Sequence, residues 1–82
     1  MLDEKTKELI AVGASITANC QPCLEYHTAK ARELGATTED VLAAVGVGQQ
    51  VRRGAGAKMD RFAARHVAGE TVPEPAPGCD CR

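Results

Sequence analysis

Residues 3–34 read DEKTKELIAVGASITANCQPCLEYHTAKAREL, and their periodicity decides the fold. Leu9, Val12 and Ile16 recur three and four apart within residues 3–18, which is the spacing of one helical face. Asp3 and Glu4 stand at the end of that helix where the dipole favours negative charge. Asn19 is a candidate cap for a second helix running from about Cys20 to Leu34. Pro22 falls in its first turn, where a missing N–H costs nothing, and Gly35 is placed to close it.

The same reading extends along the chain. In GATTEDVLAA, residues 35–44, Thr38 is a good N-cap followed by two acids in the first turn. The third helix then carries Val41, Leu42 and Val45 and thins out through Gly46 and Gly48. The stretch RRGAGA, residues 52–57, marks a break or a close helix contact. A fourth helix over roughly 56–68 shows Met59, Phe62, Ala63 and His66 along one face. No stretch alternates with period two for long enough to make a strand. The expected fold is therefore all-α, a small domain of about four helices over residues 1–68. From Gly69 onward, GETVPEPAPGCDCR holds all but one of the chain's prolines, which predicts a flexible tail over 69–82 ending in the Cys79–Cys81 pair.

Composition bounds what this domain can do. The 82 residues hold five Leu, seven Val, two Ile and one Phe against fourteen Ala and eight Gly. Alanine-rich helices bury little area each, and a chain this short usually needs a disulfide, a metal or a partner subunit. Self-association is the expected help. Net charge is −1 with the signs interspersed, and one Tyr, one Phe and no Trp leave no stacking platform, so a nucleic-acid partner is not expected. No apolar run approaches bilayer-spanning length, so no membrane partner is expected, and no secretory leader is evident. The expected location is cytoplasmic, where four cysteines point to redox or metal chemistry rather than a disulfide frame.

The chemistry concentrates in NCQPCLEYH, residues 19–27. On a helix, Cys20, Cys23 and His27 share one face, a turn apart. Both sulfurs fall in the first turn, where unpaired N–H groups and the helix dipole favour the thiolate. A thiolate attacks peroxides and disulfides, and a second thiol one turn away can close an intramolecular disulfide. The histidine offers a base or proton relay near neutral pH. Two other readings stand beside this one. The cysteines can be small buried apolar residues with His27 a surface polar group. Alternatively, Cys20, Cys23 and His27 can bind zinc, with Cys79 or Cys81 as the fourth ligand. Glu8 lies about 40° around its helix from Val12, at the edge of the apolar face, so it can turn inward.

Glu8, the twelve-residue spacing to Cys20, the run CQPCLEYH and the later GATTEDVLAA together resemble the alkylhydroperoxidase D-like branch of the carboxymuconolactone decarboxylase superfamily. The likeness runs from about Lys7 to Phe62. It implies an all-helical, oligomerising fold, a trimer or hexamer, in which the first helix lays Glu8 against the motif helix. It implies a cofactor-free thiol peroxidase that takes a hydroperoxide substrate and a thiol or dithiol electron donor. Cys23, as the more enclosed thiol, would attack the peroxide. Cys20, nearer the surface, would resolve it as a disulfide and meet the reductant, and Glu8 and His27 would relay protons. The decarboxylase branch fits less well, because there the thiol pair does not perform the chemistry. One departure is Pro22, which stands where the family's best-studied enzymes carry a second histidine. Losing that relay member implies slower peroxidase turnover and relatively more disulfide exchange. Outside the pattern, Tyr26 reads as a core or interface residue and His66 as a packed or interface histidine. Arg52 and Arg53 read as a charged face, and Cys79 and Cys81 as inert, a thiol relay to Cys20, or metal ligands.

Overall fold

The computed structural model describes residues 1–69. It is all-helical, with α1 spanning Glu4–Thr17, α2 Gln21–Glu33 and α3 Thr38–Ala68, and no strand among the described residues. The predicted tail, with Cys79 and Cys81, lies outside the described residues apart from Gly69. The chain divides into two units, Met1–Gln49 and Gln50–Arg82. The first holds α1, α2 and the opening turns of α3, and the remainder of α3 belongs to the second.

Each helix starts where its chemistry says it should. The Asp3 carboxylate accepts from the Thr6 amide at 2.7 Å and caps α1. At α3 the Thr37 hydroxyl accepts from the Asp40 amide at 3.0 Å, while the Asp40 carboxylate accepts from the Thr37 amide at 3.0 Å. This reciprocal pair is a capping box with Asp in the usual Glu position, and it moves the cap one residue ahead of the expected Thr38.

The α1–α2 corner differs from the sequence reading. Asn19 does not cap α2; it adopts a left-handed conformation, φ 55°, as the residue after the C-cap of α1. The Asn19 amide donates to Ile16 O at 3.1 Å and the Cys20 amide to Ser15 O at 3.0 Å, the paired bonds of a Schellman ending. Asparagine tolerates this backbone better than most side chains. The cap of α2 passes to Cys20, which is extended and whose Sγ accepts from the Cys23 amide. Helix α2 ends the same way as α1: Gly35, φ 98°, donates to Arg32 O and Ala36 to Ala31 O.

Of the two readings of RRGAGA, a break is absent, and the fourth helix expected over 56–68 is the C-terminal part of α3. Helix α3 runs unbroken through Gly46, Gly48, Gly54 and Gly56, none of which takes a positive φ. A glycine inside a helix costs only about 0.5–1 kcal/mol relative to alanine and does not terminate it. At Gly48 the missing side chain has a use instead, because a Cβ there would run into the Gly13 carbonyl and lie 2.9 Å from Ile16 Cβ. The close approach lets the Thr17 hydroxyl lie 3.2 Å from Gly13 O and 3.1 Å from Gly48 O, bridging α1 and α3.

The core of the first unit is small. Val12, Ala31, Ala36 and Val41 are buried, with Leu9, Leu24, Ala44 and Val45 packed against them. Val12 is its largest fully buried side chain. Residues 50–69 of the second unit leave Met59, Phe62 and Val67 exposed. No helix among the described residues is long and apolar enough to cross a membrane.

Candidate active site

The site grows out of the α1–α2 corner. Because the Schellman turn ends α1 and the very next residue caps α2, Cys20 is pinned by its backbone on one side and its side chain on the other. Its amide donates to Ser15 O at 3.0 Å and its Sγ accepts from the Cys23 amide at 3.3 Å. Three residues on, Cys23 closes a disulfide with Cys20 across a Cα separation of 5.3 Å, well inside the range a disulfide spans. Pro22 sits in the first turn, where it forfeits no helical bond.

One turn beyond Cys23, His27 Nδ1 lies 2.7 Å from Glu8 Oε1. Glu8 therefore does turn inward from the edge of α1, and packing of α1 on α2 brings together two residues nineteen apart in sequence. Both side chains are mostly enclosed, with 20% of Glu8 and 29% of His27 exposed. The exposed pairs Lys7–Glu4 at 3.3 Å and Lys30–Glu33 at 3.8 Å are one helical turn long and add little to stability. The Glu8–His27 contact is of another kind: partly desolvated, short and between helices. Its carboxylate orients the imidazole and leaves Nε2 as the nitrogen able to exchange a proton with a reacting group.

The order of enclosure of the two thiols is the reverse of the expectation. Cys20 is half-buried and Cys23 exposed. Cys20 is held in the corner where its amide donates to Ser15 O of α1, whereas Cys23 follows in the first turn of α2 and is exposed. Tyr26 is not a core residue either. It is 59% exposed, and its ring meets His27 edge-on, with centroids 5.0 Å apart and planes at 84°. That contact was missed in the sequence because neighbouring residues on a helix point about 100° apart. His66 lies in the second unit, stacked on Phe62 at 5.7 Å. The zinc alternative gains no support among the described residues: no group of three or more His, Cys, Asp or Glu side chains there is arranged to hold a metal ion.

The sequence of residues 1–68 matches the model of the carboxymuconolactone decarboxylase family. The chain is also 43% identical over 54 residues to "Uncharacterized protein 4 in cox locus" of Paracoccus denitrificans, a stretch covering 66% of this chain and 49% of that protein. It thus spans about half the length of that curated relative. No solved structure matches it. With the family match spanning all three helices and the whole Glu8–Cys20–Cys23–His27 constellation, the chain belongs to the carboxymuconolactone decarboxylase family.

Proposed function

We propose that the protein is a thiol-dependent peroxidase that cycles Cys20 and Cys23 between dithiol and disulfide. The observation that carries the reading is the Glu8–His27 hydrogen bond, held one helical turn from Cys23. A carboxylate-oriented imidazole beside a helix-start thiol pair is the equipment for moving protons to and from a sulfur nucleophile. The Cys23 thiolate attacks the terminal peroxide oxygen, forming an S–O bond as the O–O bond breaks. The departing alkoxide takes a proton through His27 and leaves as the alcohol. The Cys20 thiol then condenses with the Cys23 sulfenic acid, its proton joining the departing hydroxyl, so that the disulfide closes and water leaves. A dithiol donor returns two electrons and two protons and is itself oxidised to a disulfide. Assigning Cys23 to the first step rests on its place one turn from His27, not on enclosure.

A second reading is disulfide exchange without peroxide chemistry. It is favoured by the Cys20 Sγ acting as the acceptor at the α2 cap, an environment that stabilises a thiolate leaving group, and by the absence of a histidine at Pro22. Assembly into a trimer or hexamer completes the proposal, since the single chain leaves many large apolar side chains uncovered. The deciding experiment measures peroxide consumption with dithiol, thioredoxin-like and lipoyl-type donors in turn. Turnover that vanishes in Cys23→Ser supports the peroxidase. Reduction of disulfide substrates without peroxide consumption supports the second reading, and activity toward neither rejects both.

A further inference from the structure

We infer that Tyr26 is a positioning residue for His27, holding the imidazole in the plane from which it exchanges protons with the thiol pair. The inference rests on the peroxidase reading for its kinetic consequence but not for its geometry. Glu8 holds the ring at one atom only, Nδ1 at 2.7 Å. That bond opposes a χ2 flip, which would carry Nδ1 away from the carboxylate, but a single contact to a carboxylate on a rotatable stem still lets the ring tilt about it. The Tyr26 ring, set at 84° to the imidazole with centroids 5.0 Å apart, restricts the tilt that Glu8 does not. Edge-to-face geometry is the arrangement in which two rings attract through their quadrupoles, so the contact defines an orientation and not merely a distance.

Burial does not account for this tyrosine. The core is built from Val12, Ala31, Ala36 and Val41, while Tyr26 keeps 59% of its surface in solvent. Its defined aromatic contact is the imidazole. The ring, rather than the hydroxyl, makes the contact, which separates Tyr26→Phe from Tyr26→Leu. Neither variant removes a core side chain, and circular dichroism checks that both keep their helices.

Two measurements test the proposal. The first is the nitrogen NMR signature of the His27 ring, with His66, whose ring contact is with Phe62, as the internal reference. Wild type and Tyr26→Phe are expected to show one tautomer and one ring environment, and Tyr26→Leu a mixed or exchange-broadened one. The second is peroxide turnover. Tyr26→Leu is expected to lower kcat about two- to tenfold, the range an aromatic pair is worth, with KM for the hydroperoxide unchanged and Tyr26→Phe near wild type. A His27 signature in Tyr26→Leu identical to wild type overturns the proposal, as does Tyr26→Phe failing as badly as Tyr26→Leu. If the wild-type protein consumes no peroxide, the peroxidase reading falls, and the NMR comparison still decides whether Tyr26 orients His27.

Discussion

Glu8 is the residue whose reading changes most between the sequence and the folded chain. Read along α1 it is one of two glutamates, yet in the fold its carboxylate lies 2.7 Å from the one histidine on the motif helix. Glu8→Gln keeps the volume and removes the carboxylate that meets His27 Nδ1. Peroxide reduction should fall by about 10²–10⁴-fold, the usual worth of general acid–base catalysis, with unchanged helix content by circular dichroism. An unaltered rate would return Glu8 to a structural role. At the cap of α2, Cys20→Ser separates two functions of one atom. Serine is a good N-cap, so α2 should keep its stability in thermal melts. Mass spectrometry of the peroxide-treated variant should no longer show the two-hydrogen loss expected for the wild-type peptide containing Cys20 and Cys23.

Helix ends and crossings carry the next set of consequences. Hydrogen bonds from Thr6 hold the Asp3 carboxyl below the ordinary aspartate range, and those from Thr37 do the same for Asp40. A carboxyl depressed in the folded state stabilises the fold above its unfolded pKa, about 3.9, and loses that contribution as pH falls through the lower folded value. Acid titration of stability should therefore steepen below about pH 4, and Asp3→Asn with Asp40→Asn should flatten it. At the α1–α3 crossing the test is steric. Gly48→Ala drives a Cβ into the Gly13 carbonyl, backbone that cannot step aside. The strain of about 1–3 kcal/mol should outweigh the ~1 kcal/mol that alanine gains in a helix. Gly46→Ala meets nothing within 4 Å and should raise the Tm. Equal melting temperatures for the two variants would mean that the crossing is not tight.

The described residues are short of core. Four buried apolar residues, two of them alanine, anchor the unit of residues 1–49, while Ile10, Leu34, Leu42 and Val47 stay exposed. Fully burying one such side chain is worth about 1.5–3 kcal/mol, so association that covers several of them offers more stabilisation than the chain finds alone. Sedimentation should give a trimer or hexamer at micromolar concentration. A folded monomer under those conditions would count against the proposed assembly.

What the sequence by itself determined is the local part. Apolar spacing in Leu9, Val12 and Ile16, Pro22 in a first turn and Gly35 at a helix end each act within about one turn of chain, so the helices of the first unit could be read from them. The Cys20–Cys23–His27 face follows from the same periodicity. Tertiary structure decided the rest. Whether Asn19 or Cys20 caps α2 depended on how α1 ends, because the left-handed residue that closes one helix cannot also be the extended cap of the next. Glycines in RRGAGA allowed either a break or a close helix contact, and their small individual costs did not interrupt a cooperative helix. The exposure of Cys23 depends on what packs above it, which no local pattern contains. The Glu8–His27 hydrogen bond spans nineteen residues, and the packing of α1 on α2 decides whether a side chain at the edge of an apolar face turns inward.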